Sequence, residues 1–352
     1  MHKSKELQQK IQAYLPLHGA RLSFMAKFVM AVIVVRGVTV STVASALNPR
    51  VLPESNEKRV ERFFNEVELE GKNFAMLILA LLPAQEKLVL TLDRTNWELG
   101  ATHINILMLG VAYKGLAFPL LWVLLDKKGN SDTQERLSLI DTLLTLVDVE
   151  RIEALVADRE FTGKRWFKGL KERRLIFVMR VRNNTLIGSK GRTRSAKQRY
   201  SHLQAQQVYV CPKRCWVFGL RLCTAVSKSK EGELVVLVCN ADPDKALVRY
   251  AQRWQIETLF SALKSRGFNL EDTHMTTADR LDKLLALLAI AFAWAHLVGE
   301  WCHQQRPLKL KAHGYLAKSY FKRGLDALRS AILAGHAPAR ISIRDCLDFL
   351  SP

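Results

Sequence analysis

Acidic residues are scarce in this chain. Its 352 residues hold 33 Asp and Glu against 53 Lys and Arg, a formal charge of +20. So basic a protein calls for a polyanionic partner, nucleic acid first among them. An anionic membrane surface fits less well, because no basic amphipathic helix with a clean apolar face stands out. Long apolar runs are missing too. The longest, Leu284 to Gly299, contains His296 and lies between Asp282 and Glu300. It falls short of the ~20 residues a spanning helix needs and reads as a buried core helix. Met1 to Lys10 is polar and no short apolar run with a small-residue cleavage site follows, so a cytoplasmic, reducing location is expected. Cysteine is sparse at six residues. Cys211-x3-Cys215 with Cys223 is loosely spaced for zinc and has no neighbouring His, which favours reduced thiols in a β-rich region. Internal repeats and low-complexity tracts are absent.

What remains is ordinary globular material, 49% hydrophobic and 24% charged, long enough for two or three domains. Residues 1–75 read as helical: Phe24 to Val35 is apolar, Val38 to Leu47 follows a turn, Asn48-Pro49 closes it, and Glu57 to Glu68 carries Arg59, Arg62, Phe63 and Phe64. These helices suit either a helix-turn-helix reader of DNA or a plain bundle packed on the next domain. From Lys87 the pattern turns to strands: Leu88 to Asp93, His103 to Ala112 and Leu116 to Leu125, with a hairpin turn at Tyr113-Lys114-Gly115. Asp132 and Glu135 form a capping box that opens a helix through Leu146. A strand Glu153 to Asp158, a basic helix Gly163 to Arg173 and a strand Leu175 to Val181 complete the series. Three strands, helix, strand, helix, strand is the order of an RNase H-like α/β core.

Residues 182–240 interrupt that core with a basic opening and three strands, Gln206 to Val210, Cys215 to Val226 and Leu234 to Cys239. Between Lys164 and Arg199 thirteen Lys or Arg face one acid, Glu172, a run that serves either as a solvated face or as a guide for a phosphate backbone. One long helix is expected from about Asp242 to Arg266, then helices to the C-terminus. The layout is thus 1–75 helical (DNA-end-binding on the first of those two readings), 85–181 the first part of the core, 182–240 a β-rich insertion, 241–300 core completion, and 301–352 a C-terminal helical region.

On the long helix, Tyr250, Arg253, Glu257 and Lys264 fall within about a 60° arc at 100° per residue, opposite Ala251, Leu259 and Leu263. Such a stripe is a solvated face unless its neighbours give it work. A carboxylate flanked by an aromatic hydroxyl and two cations fits a metal ligand beside phosphate-gripping groups. Asp93 and Asp158 each end an expected core strand. Singly, such residues cap turns; together with Glu257 they would converge on one pocket, where mutual repulsion requires a divalent cation. All-oxygen ligands favour Mg²⁺, with Mn²⁺ as a substitute, and two such ions would serve an in-line displacement at phosphorus.

Tyr250-x2-Arg253-x3-Glu257-x6-Lys264 resembles the Tyr-Arg-Glu-Lys signature of bacterial insertion-sequence transposases of the IS-four type. Leu92-Asp93-Arg94-Thr95 and Ala157-Asp158-Arg159-Glu160 resemble that family's two other motifs, and the likeness spans roughly residues 85–300. It implies an RNase H-like fold with a β-rich insertion, and a DDE triad of Asp93, Asp158 and Glu257 holding two divalent metals. It also implies that Tyr250, Arg253 and Lys264 contact the backbone of double-stranded DNA at the inverted-repeat ends. A dimeric synaptic complex would then cut the ends through hairpin intermediates and join them to target DNA. Family members often place a tryptophan at the start of the strand before the signature helix, to stack a flipped base. Leu234 to Cys239 has none, so Trp216 and Phe218 are either the substitute or buried sheet aromatics. Two other functions fit the same residues: a metal-dependent nuclease without strand transfer, and an inactivated DNA-binding relative.

Overall fold

The computed structural model describes residues 2–189, 191–312, 314, 316–334 and 341–350; Lys190, part of the basic run, lies outside them. Five helices come first: α1 (His2–Gln12), α2 (Gly19–Val35), α3 (Val40–Leu47), α4 (Pro53–Glu66) and α5 (Gly71–Ala80). α2 stops where Arg36 turns left-handed (φ 57), and the Thr39 hydroxyl accepts from the Thr42 amide to start α3. Pro53 occupies the first turn of α4, where its missing N–H costs nothing. α4 buries Val60, and packs Phe63 and Phe64 on Phe24 and Phe28 of α2, while Lys58, Arg59 and Arg62 face outward.

The chain then runs β1 (Leu88–Leu99), β2 (Thr102–Tyr113), β3 (Leu116–Leu124), α6 (Thr133–Leu144), β4 (Ile152–Ala157), α7 (Lys164–Glu172) and β5 (Phe177–Val181). This is the element order expected from the hydrophobic pattern. The strands lie in the order β3-β2-β1-β4-β5, with β1, β4 and β5 mutually parallel, β2 antiparallel to β1 and β3 antiparallel to β2. Lys114 and Gly115, both at positive φ (47° and 91°), make the β2–β3 hairpin turn. The capping box forms as expected: Asp132 accepts from the Glu135 amide at 2.9 Å, and Glu135 accepts from the Asp132 amide at 2.6 Å.

The insertion is more regular than its basic composition suggests. β6 (Leu186–Ser189) and β7 (Arg192–Ser195) form a hairpin followed by the short helix α8 (Ala196–Arg199), where only a polar stretch was expected. β8 (Val208–Val210), β9 (Cys215–Val217), β10 (Leu220–Lys228) and β11 (Leu234–Cys239) follow. The expected single strand Cys215 to Val226 is two, because Phe218 and Gly219 (φ 51° and 75°) reverse the chain. β11 pairs with β5, so insertion and core share one sheet.

The expected long helix over Asp242 to Arg266 is also broken. It consists of α9 (Ala246–Ala251) and α10 (Trp254–Leu263) around a tight turn at Gln252 and Arg253. There the amides of Gln252, Arg253, Gln255 and Ile256 donate to carbonyls three residues back, at 2.9–3.2 Å. Such bonding eclipses residues i and i+3, which sets Tyr250 in line with Arg253. Leu259 and Leu263 are buried as expected, but Ala251 is exposed.

α11 (Ala278–Gln305) contains the sixteen-residue apolar run and packs against α2, α5, β3 and α12 (Tyr320–Leu333). It is long and apolar enough to cross a membrane, yet its most apolar window is 89% buried within the protein. α13 (Ile343–Leu347) closes the chain. Gly299 of α11 and Gly324 of α12 let these helices touch at the backbone: a Cβ on Gly299 would lie 1.7 Å from the Tyr320 carbonyl oxygen. Gly299→Ala is therefore expected to destabilise the fold by at least the ~1–3 kcal/mol of overpacking, since backbone must move. Denaturant unfolding measures this; unchanged stability would mean the helices are not in this contact.

Candidate active site

β1 does not stop at Asp93. It continues to Leu99 because β2 pairs with it from Leu90 to Leu99, so Asp93 is mid-strand rather than at a strand end. What ends there is the parallel partner: β4 pairs with β1 up to Leu92↔Ala157. Asp93 and Asp158 are thus the next residues on two adjacent parallel strands, at the point where the ladder opens. Sixty-five positions apart in the chain, they close to one step of sheet register.

Glu257 arrives on α10, which packs on β1, β2 and β3. It meets Asp93 through Arg253, whose Nη2 donates to Glu257 Oε1 at 2.6 Å and whose Nη1 donates to Asp93 Oδ2 at 3.4 Å. The Tyr250 hydroxyl donates to Asp158 Oδ1 at 3.3 Å, and the Arg253 guanidinium lies 5.8 Å from the Tyr250 ring centre. Burial pushes the Asp93 carboxyl up to about 6 against the Arg94 amide and the Arg253 charge, which lower it; Glu160 and Glu257 add to the rise. Burial and the Asp158 charge likewise push Tyr250 up to about 12, so the phenol keeps its proton. Lys264 stands apart from the carboxylates. Its Nζ donates to Asn96 O at 3.1 Å, pairs with Glu271 at 2.7 Å and lies 5.3 Å from the Trp97 ring centre.

A second guanidinium braces the two aspartate strands. Arg94 Nε and Nη2 donate to the two Glu160 carboxylate oxygens at 2.7 and 3.2 Å; Nη1 donates to Asn105 and Nη2 also to Asn130. The Arg94 amide donates to Asp93 Oδ1 at 2.8 Å. One side chain thus ties the residue after Asp93 to the residue two after Asp158, in the bidentate geometry that suits Arg and not Lys. Beside this brace opens a cleft of about 770 Å³, lined by Arg159, Glu160, Thr162, Arg182, Trp216 and Phe218 among others. Trp216 is half-buried in its wall, exposed enough to meet a ligand.

A family model described as the transposase DDE domain matches residues 84–294, more than half of the chain and the whole span from β1 into α11. The chain belongs to this family. It is a DDE transposase, an enzyme of DNA transposition and recombination. No curated protein sequence matches it. Among solved structures, a piggyBac transposase synaptic complex with hairpin DNA is similar at 12% identity, covering 99% of this chain and 81% of that one, with a TM-score of 0.47.

Among the described residues of the transposase, no three carboxylate, imidazole or thiol groups stand close enough to hold a metal ion. The six cysteines are free and buried. Asp93, Asp158 and Glu257 offer only oxygen, the donor that Mg²⁺ and Mn²⁺ prefer. Their chemistry fits such an ion, while the cation joining Asp93 to Glu257 in this structure is Arg253. Sequence reasoning missed three participants. Arg94 and Glu160 were inside the quoted motifs without a role, and Trp254, beside Arg253 in the signature, is 63% exposed with the guanidinium 5.6 Å from its ring.

The raised Asp93 carboxyl has a direct consequence for stability. Between the unfolded value near 3.8 and about 6 the folded state binds more protons, so stability falls as pH rises through that window and the deficit persists above it. In metal-free buffer Asp93→Asn is expected to be more stable than wild type at pH 8, by on the order of 1–3 kcal/mol, with no gain below about pH 4. Thermal unfolding across pH checks this; a pH-independent difference would contradict it.

Proposed function

We propose that this transposase is an insertion-sequence enzyme of the IS-four type, built on an RNase H-like core. It binds the terminal inverted repeats of its element and cuts and joins DNA strands. The observation that carries this reading is the register of Asp93 and Asp158 at the opened β1–β4 ladder, with Glu257 tied to Asp93 through Arg253. DDE transposases generally use divalent metals. In this proposal Asp93, Asp158 and Glu257 hold two Mg²⁺ ions, which supply an activated water or 3′-hydroxyl and charge stabilisation at phosphorus.

The remaining work falls to the chain's own residues. Arg94 and Glu160 keep the two aspartate strands in fixed relation. Arg253, which joins Asp93 and Glu257 in this structure, would grip the DNA backbone beside them, and Lys264 the same strand further along. Tyr250, a proton donor across the working pH range, hydrogen-bonds a phosphate oxygen. Trp216 stacks a base turned out of the end into the adjacent cleft, which suits excision through hairpin ends. The outward cations Lys58, Arg59 and Arg62 of α4 support end binding by the N-terminal helices. A homodimer pairs the two ends.

The DNA flanking the coding region supplies the test substrate: its inverted repeats. Asp93→Ala, Asp158→Ala and Glu257→Gln are each expected to abolish Mg²⁺-dependent cleavage of that duplex while end binding survives. Undiminished cleavage by any of them would remove it from the triad. Joining of a precleaved end to plasmid DNA distinguishes a transposase from a nuclease that only hydrolyses. Arg253→Ala and Lys264→Ala are expected to weaken end binding and to flatten its salt dependence by about one unit of slope each. Slopes unchanged in both would mean that these cations do not meet phosphate.

A further inference from the structure

β8 and β9 lie end to end along one edge of β10. Val210 pairs with Ala225 and the Cys211 amide donates to Thr224 O at 3.0 Å, while Cys215 pairs with Leu222. Three residues, Pro212, Lys213 and Arg214, therefore stand opposite the single residue Cys223 and loop outward, all exposed. Cys211 and Cys215 form the neck of that loop, their sulfurs 3.8 Å apart. Both thiols hydrogen-bond the Lys213 carbonyl, and Arg199 Nη2 donates to Cys215 Sγ at 3.4 Å. The other four cysteines are not arranged as a loop neck: Cys223 and Cys239 face each other across β10 and β11, and Cys302 and Cys346 lie among the C-terminal helices.

We propose that Cys211 and Cys215 are a redox-active dithiol, closing to a reversible disulfide with a peroxide-class oxidant. The sulfurs need to approach by about 1.8 Å to reach the ~2.05 Å of a disulfide bond, an adjustment at the neck of a loop whose three residues are exposed. The two thiols differ. Burial opposes the Cys211 thiolate, but hydrogen bonds with the Lys213 backbone, Cys215 and Arg199 outweigh it and lower the pKa; burial and the Cys211 charge raise that of Cys215. With Cys211 attacking first, Cys215 is the resolving sulfur. The Cys211 thiolate attacks one oxygen of hydrogen peroxide, the O–O bond breaks, and the departing hydroxide takes up the proton that Cys211 released, leaving a sulfenic acid and water. Cys215 then attacks the sulfenic sulfur; the S–O bond breaks, and hydroxide leaves as water with the Cys215 proton. Two thiols are oxidised, and one peroxide is reduced to two waters. The closed neck ties Lys213 and Arg214 to the start of β9, whose next residue, Trp216, lines the cleft with Arg159 and Glu160.

The test treats the full-length protein with hydrogen peroxide at low molar excess, alkylates the remaining thiols and maps the peptides. The expected result is loss of two of the six thiols, a Cys211–Cys215 linkage about 2 Da lighter than the dithiol, and full recovery with dithiothreitol. Cys215→Ser is expected to stop at a Cys211 sulfenic acid that dimedone traps, whereas Cys223→Ser retains the linkage. Circular dichroism of each variant separates misfolding from lost chemistry. Loss of Cys302 or Cys346 first, a linkage between chains, or no thiol loss at peroxide levels that oxidise free glutathione would each overturn the proposal.

Discussion

Arg253 is the contact on which the site depends. Two carboxylates from distant parts of the chain, Asp93 on the sheet and Glu257 on α10, meet in a partly buried place where like charges repel strongly. A single guanidinium answers both, and its position follows from the tight turn between α9 and α10. A continuous α-helix would spread Tyr250, Arg253 and Glu257 along an ordinary charged stripe. The tightened turn aligns Tyr250 with Arg253, so the phenol reaches Asp158 while the guanidinium spans the other two acids.

The sheet provides the complementary constraint. Antiparallel pairing with β2 keeps β1 straight past Asp93, and the shorter parallel partner β4 releases Asp158 at the neighbouring step. Arg94 and Glu160 then fix that step with a bidentate bond. The basic insertion continues the same sheet through β5 and β11, which brings Trp216 to the cleft beside the carboxylates. Core, insertion and signature helix are thus one mechanical unit, held from behind by the buried α11.

Much of this was legible in the residues. Alternating and continuous apolar runs located the strands of the core within a few residues, and the Asp132–Glu135 box marked the start of α6, because these signals are local. The errors share one cause as well. Asp93 reads as a strand end because its acid side chain interrupts an apolar run, yet cross-strand pairing with β2 carries the strand on. The hairpin β6–β7 hides in a cationic stretch because its stability comes from β9 alongside rather than from its own pattern. The break at Gln252 and Arg253 leaves no glycine or proline to read.

The sequence by itself determined the chemistry on offer: three isolated acids, a cationic surface, and a signature whose residue types suit phosphate and metal. It did so because residue type and short spacing survive without a fold. Only the tertiary structure decided how those groups meet. Register placed Asp93 beside Asp158, the tight turn gave Arg253 to two acids and left Lys264 with Glu271, and the neck of a bulge brought Cys211 to Cys215. The register and the loop neck depend on strand pairing, which no local pattern encodes.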